Sequence, residues 1–536
     1  MSRTRLVNSL SAQPGLWAFL IVVAGAALRL WFVSTSQLGL VQDEAQYWDW
    51  TRHLQLTYYS KGPLIAWIIR CGTFVFGDTE LGVRFGAIVG MAVFPGLVWI
   101  LVARLWKRPV AALFALFAIA VAPLFQALGI LMTTDNPFVL CWALAMIALY
   151  LCSTPDSQGR DRGLWPFALL AAAYGVGILA KYTMLGLAGL AVLHGLLLQR
   201  QALLPRRFWP RLVLALAVGV VIGFLPTLIW NMANGYVGYK HVLYLIGIEG
   251  KGAERIIRLS RVPEYVGAQL GFALPWWFAL TLIAGWRAAR RCWSNPARRA
   301  DQPIALEVVP ATLLTVFFWP VTLFFLAWSF HTKVLANWNT VSFVAGSILC
   351  GLEIERIMLS DFSSAGWRWV KAGFAASIVL TLFIHVHQML PIPPSLNPAN
   401  RLKGWQDMGQ HMHEVVHSRF DDPSRVFFFS NVYDITAELA FYVPGQARAY
   451  CLWGPDRRMN QYDLWGGPQN HIGWNAVLVL RGDSPNAPAD ISEMFRNVSG
   501  PFRYVATYRD VPVRPFYYYL CYGYTGVWPV QHNAPF

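Results

Sequence analysis

The chain has 536 residues, 56% hydrophobic and 13% charged, with a formal net charge of +15. Soluble domains carry about 25% charged residues, so this composition excludes an ordinary soluble enzyme and points to many membrane spans. The basic excess fits loops held on the cytoplasmic side of a membrane; no nucleic-acid-binding motif accompanies it, which argues against DNA or RNA as partner.

Arg3 and Arg5 precede an apolar run over residues 16–33. The run is long for a signal-peptide core and no small-x-small cleavage site follows, so it reads as a retained first span. Arg29, near its outer end, can stretch to the headgroups. A bilayer core needs about 20 apolar residues as helix. Further spans are predicted over 81–103, 110–129, 137–151, 165–179, 183–198, 212–230, 263–285, 305–330, 338–352 and 370–389, making about eleven.

Basic residues follow every even-numbered span: Arg104, Lys107 and Arg108, then Arg160 and Arg162, then Arg200, Arg206, Arg207 and Arg211. Arg287, Arg290, Arg291, Arg298 and Arg299 follow the eighth span, and Arg356, Arg368 and Lys371 the tenth. The positive-inside rule therefore predicts a cytoplasmic N-terminus, with loop 34–80 and the C-terminal end on the outer face of the membrane. Within that loop, residues 43–54 read as a helix bearing Tyr47, Trp48 and Trp50. Residues 63–76 read as a second, opened by Pro63, too short to span and expected along the membrane surface.

Pro391-Ile392-Pro393-Pro394 breaks the pattern, dividing a membrane domain, 1–390, from a polar domain, 391–536. Helices at 403–419 and 434–442, with apolar runs at 426–429, 476–480 and 504–508, predict a small α/β domain. Cys451 and Cys521 both lie there, where an oxidising compartment permits a disulfide; sequence leaves the pairing open.

Charge near a membrane tends to mark function. Asp43-Glu44, Tyr59-Ser60-Lys61-Gly62-Pro63, Thr134-Asp135-Asn136-Pro137 and Ala180-Lys181-Tyr182 all fall on the outer face of this topology. They form one candidate cavity of carboxylates and cations. Cations suit a lipid-linked phosphate leaving group, and a carboxylate suits deprotonation of an attacking hydroxyl. Each also has a plain reading. Asp135 can cap its helix, and Lys181 can snorkel.

Asp43-Glu44, Tyr47 and Tyr59-Ser60-Lys61-Gly62-Pro63 resemble the first periplasmic loop of bacterial GT-C glycosyltransferases, the aminoarabinose-transferase-like and protein-mannosyltransferase-like enzymes. The run from Phe76 to Arg84, Thr134-Asp135-Asn136-Pro137 and Leu179-Ala180-Lys181-Tyr182 are similar to their next landmarks. So are Lys333 to Trp338, Glu438 to Tyr442 and Gln461 to Trp465. The resemblance implies a polytopic α-helical GT-C membrane protein with a periplasmic α/β domain. Its activity would be transfer of a sugar from a polyprenyl-phosphate donor, with inversion, to a glycolipid such as lipid A or its core, or to a protein. It implies Asp43, Glu44 and Asp135 as catalytic carboxylates. It further implies Lys61, Lys181 and Arg84 as phosphate ligands, and Tyr59 as a donor-positioning residue. Arg84 also reads as an interfacial anchor. No cofactor is indicated, and a divalent metal stays open without a motif behind it.

Two departures matter. Gln46 stands where the aminoarabinose enzymes have Arg, and Lys61-Gly62-Pro63 replaces their Lys-Pro. The donor sugar therefore stays open among aminoarabinose, a uronic acid, mannose and other hexoses. Rival readings are a lipid-sugar transporter or flippase and a noncatalytic assembly subunit. A metalloprotease built on His413-Glu414-Val415-Val416-His417 is a third, although a zinc site needs a further ligand that no sequence signal supplies. Arg481-Gly482-Asp483 reads as a turn, and Asn497-Val498-Ser499 as a sequon that matters only where glycosylation machinery exists.

Overall fold

A computed structural model describes residues 12–245, 259–293, 307–360, 364–390, 397–454, 457–482, 485–488 and 490–529. Arg3, Arg5, Arg298, Arg299, the start of the predicted 305–330 span, the Pro391–Pro394 break and Asp483 lie outside these residues.

The chain is a multi-span helical membrane protein. Within the described residues every predicted span falls mainly on helix, and these residues contain seven single helices long and apolar enough to cross a membrane, or nine spans if each of two bent pairs counts as one. The expected count of about eleven is not reached, for physical reasons. Trp165–Ala180 is short, and Ser342–Ser360 carries Glu353, Glu355 and Arg356. The two bent pairs break at a proline: Pro109–Val121 turns by 67° into Pro123–Ile130, and Arg261–Ala273 by 99° into Pro275–Trp293. At the membrane end away from Asp43, Glu355 pairs with Arg108, while Glu353 pairs with Arg287 and Arg356.

The polar C-terminal part holds a five-stranded sheet: β1 (Val426–Ser430), β2 (Ala449–Cys451), β3 (Asn475–Arg481), β4 (Phe495–Tyr508) and β5 (Val511–Tyr524), in the order β2-β1-β3-β5-β4. β2, β1 and β3 run parallel, and β5 and β4 complete the sheet antiparallel. The apolar run of β1 is buried throughout because both its faces are covered. Phe428, Val477 and Val479 face helices Trp405–Arg419 and Tyr433–Tyr442, and Phe427, Phe429 and Leu478 fill the opposite side. Cys451 and Cys521 sit on β2 and β5, with two strands between them and both thiols free. At a strand spacing of ~4.8 Å they are roughly 14 Å apart, too far to bridge.

The first loop is part of the same core as this sheet. Trp48, Trp50, Tyr58 and Ile65 pack in one apolar cluster with Trp405, Met408, Phe441 and Tyr462. Trp48 meets Phe441 edge-on at 4.9 Å, and the Tyr442 hydroxyl accepts from the Leu40 N–H at 2.7 Å and donates to Glu80 at 2.6 Å. The polar domain is thereby fixed over the loop that carries Asp43 and Lys61.

Candidate active site

Asp43 lies in the first turn of helix Gln42–Thr51, and Asp135 is the first residue of helix Asp135–Ser153. Lys181 caps the end of Trp165–Ala180. Gly62 explains how Lys61 joins them: a Cβ at that position would lie 2.0 Å from the Leu179 carbonyl oxygen. Only glycine lets the loop approach this helix end so closely. Lys61 is thus set near Lys181, with Asp43 and Asp135 close enough for their charges to act on it.

The four charges are held differently. Asp135 is buried and saturated, accepting from Lys181 Nζ at 2.7 Å and from Asn337 Nδ2 at 2.7 Å. It is not the N-cap, a place taken by Thr134, and Lys181 is ion-paired rather than reaching for headgroups. Asp43 keeps its carboxylate open at the surface of a recess, with only a long contact of 3.4 Å from the Tyr433 hydroxyl. Protein around the recess strips it of water and pushes its carboxyl above the usual range; Lys61 and Tyr433 pull in the other direction. Lys61 makes no side-chain hydrogen bond or ion pair among the described residues. Burial, reinforced by Lys181, holds its ammonium below the ordinary lysine range.

Glu44 and Arg84 are brought together, but with each other. Arg84 donates to Glu44 at 2.8 and 3.0 Å and to the carbonyls of Leu38 and Gly39. Glu44 also accepts from the backbone N–H groups of Val41 and Met132. Both side chains are buried, which leaves no open face for a phosphate. Tyr59 is pinned by its N–H, which donates to Gln461 at 2.7 Å, and its ring packs on His241 at 4.6 Å. Its hydroxyl is buried without a partner among the described residues.

Four residues here escaped sequence reasoning: Asn337, Tyr433, His241 and Arg458. Arg458 makes no side-chain hydrogen bond or ion pair among the described residues, yet its charge acts on Tyr59, His241 and Tyr433. Burial, with Arg458 and Lys61 adding to it, lowers the His241 imidazole to about 4. Asn337 stood inside a stretch noted for resemblance; nothing in the sequence linked Tyr433 to a residue 390 positions earlier. Among the described residues no group of three His, Cys, Asp or Glu could hold a metal ion. His413 and His417 lie on one helix face, their rings 4.1 Å apart, far along the chain from this recess.

Comparison with known proteins agrees with the architecture. A family model described as dolichyl-phosphate-mannose-protein mannosyltransferase matches residues 60–230. ArnT from Cupriavidus metallidurans in the apo state superposes with a TM-score of 0.64 at 18% identity, covering 94% of this chain and 97% of that one. An oligosaccharyltransferase from Archaeoglobus fulgidus gives 0.51 at 11% identity over 93% of this chain and 75% of that one. The chain has the GT-C fold, and the matches support its resemblance to the GT-C glycosyltransferases. Among individual relatives, the lipid A galacturonosyltransferase RgtD of Rhizobium johnstonii is 27% identical over 333 residues, 62% of this chain and 64% of that protein. The undecaprenyl phosphate-alpha-4-amino-4-deoxy-L-arabinose arabinosyl transferase of Pseudomonas paraeruginosa is 26% identical over 330 residues, 56% of this chain and 54% of that protein. The chain thus spans less than two thirds of the length of either relative.

Proposed function

We propose that this protein is a glycosyltransferase that moves a sugar from a polyprenyl-phosphate donor to a lipid-anchored glycan of the lipid A class. The observation that carries this reading is an open carboxylate, Asp43, within charge range of an ammonium, Lys61, that is uncommitted among the described residues, at the head of a membrane bundle. The names of the relatives support the donor and acceptor classes. ArnT has also been solved with undecaprenyl phosphate bound, at a TM-score of 0.63 to this chain.

In this reading the acceptor hydroxyl attacks the anomeric carbon as the bond from that carbon to the phosphate oxygen breaks. Asp43 takes the hydroxyl proton, and the polyprenyl phosphate leaves with its new charge facing Lys61. Attack opposite the leaving group inverts the anomeric centre. Asp135, held by Lys181 and Asn337, fixes the position of the second cation rather than acting as a base. Glu44 and Arg84 position the helix that bears Asp43, and Tyr59 orients the donor. Membrane sidedness follows the basic loops: N-terminus cytoplasmic, Asp43 and the polar domain periplasmic, in a bacterial inner membrane. The polar domain recognises the acceptor.

The test is transfer by purified protein from a panel of polyprenyl-phosphate sugars, with Asp43→Asn and Lys61→Ala alongside. Transfer by the wild type that both substitutions abolish supports the reading and identifies the sugar. Donor binding without transfer to any acceptor, or movement of the donor across vesicles, would move the protein to the transporter or assembly-subunit readings.

A further inference from the structure

Two peripheral helices, Pro14–Ser34 and Ala365–Val386, each bury one basic side chain between them. Arg29 is 3% exposed and His385 fully buried. Arg29 lies one turn before Phe32, whose ring meets His385 edge-on at 5.5 Å, and its charge acts on that imidazole. A freely snorkelling arginine would stay exposed; this one is folded against Gly129, where an added Cβ would fall 2.1 Å from its Nε.

Neither group is fully satisfied among the described residues. Arg29 forms no hydrogen bond or ion pair among the described residues, and its Nε is buried without a partner. His385 Nδ1 is 2.8 Å from the Thr381 carbonyl, while Nε2 and the Thr381 hydroxyl have no partner among the described residues. Charged groups within the bilayer are rare and are ordinarily paired, and this guanidinium has no anion beside it among the described residues. The neighbouring side chains Leu30, Trp31, Leu382 and Phe383 are all exposed, so both helices border the lipid phase beside the buried pair. Arg29 is five residues from the end of its helix, roughly 7.5 Å at 1.5 Å per residue, which is near headgroup depth.

We propose that Arg29 and His385 form a binding site for the phosphate of a membrane lipid, separate from the Asp43 recess. A guanidinium can donate two parallel hydrogen bonds to phosphate oxygens, and the imidazole adds a third polar contact. The ligand class is a phosphate ester with acyl chains, supplied either by bulk phospholipid or by a phosphorylated glycolipid. This inference does not depend on the transferase reading.

The experiment is native mass spectrometry of the delipidated full chain, titrated separately with phosphatidylglycerol, lipid A and uncharged diacylglycerol. One phosphate lipid is expected to bind at least tenfold more tightly than diacylglycerol, with Arg29→Met and His385→Phe each weakening it by tenfold or more. Preference for phosphatidylglycerol assigns a phospholipid, and preference for lipid A assigns a glycolipid. Equal binding of all three lipids by the wild type overturns the proposal. So does unchanged preference in His385→Phe, which keeps the test open if Arg29→Met fails to fold.

Discussion

The Arg84 guanidinium meets the Glu44 carboxylate at 2.8 Å with both side chains excluded from solvent. Removing one partner of a buried pair strands the other charge, at a cost of about 3–5 kcal/mol. Arg84→Met should therefore lower the melting temperature in detergent sharply, and Glu44→Gln combined with Arg84→Met should cost less than the two single changes added. Additive losses would show that the pair is not coupled.

Asp43→Asn keeps the size of the side chain and removes the base. General-base catalysis contributes about 10²–10⁴-fold, so kcat should fall within that range while the melting temperature stays near wild type. Single-turnover transfer separates this from weaker donor binding. Unchanged kcat would remove the base assignment.

The two open charges set a pH window. Asp43 must be ionised to act, and its carboxyl is raised, so activity should fall on the acid side at a higher pH than an ordinary aspartate gives. Lys61 must be protonated, and its ammonium is lowered, so activity should fall on the basic side before an ordinary lysine would titrate. The kcat/KM profile should be a bell narrower than unperturbed groups predict. Lys61→Arg should extend its basic limb, because arginine stays charged.

Asn337 supplies one of the two hydrogen bonds that hold Asp135. A hydrogen bond to a charged group is worth about 1.5–3 kcal/mol, so Asn337→Ala should lower kcat/KM by roughly ten- to a hundredfold. Asn337→Gln should recover little, since its longer side chain misplaces the amide. Equal activity in Asn337→Ala would detach Asp135 from the site's function.

Glu438 in helix Tyr433–Tyr442 is wholly buried, and neither carboxylate oxygen has a hydrogen-bond partner among the described residues. Burial raises its carboxyl well above the usual range, with Arg514 opposing and Glu44, Asp434 and Glu80 adding to the rise. A folded-state value above the unfolded one means that stability declines as pH rises from the unfolded value toward the folded one. Melting temperatures between pH 5 and 8 should decline in the wild type and change less in Glu438→Gln. Parallel curves for the two proteins would rule Glu438 out as the source.

Helix positions were legible because long apolar runs and basic exits are local signals. The breaks at Pro123 and Pro275 had a signal too, but a proline alone does not tell a kink from a 99° turn. Strand β5 was missed because Pro512 and Pro515 argue against a strand and the turn before it lacks glycine. Arg509 and Asp510 both adopt positive φ, at 50° and 62°, to make that turn. Both prolines lie before Phe516, where β5 pairs only with β4, so their missing N–H groups face no second strand. In the site, Asp43, Lys61, Asp135 and Lys181 stood out as charges near a membrane. The partners that distinguish an open charge from a saturated one come from hundreds of residues away and leave no spacing to read.

The core shared by the first loop and the sheet imposes an order in time on biogenesis. The Leu40 N–H waits for a hydroxyl 402 residues later in the chain. At about 5–20 residues per second, that partner emerges roughly 20–80 s after the loop does. For that interval Trp48, Trp50 and Tyr58 have no sheet to pack against, so the loop stays unfinished while the membrane helices insert, and the recess around Asp43 is completed only after the helix bearing Tyr433 and Tyr442 has been made.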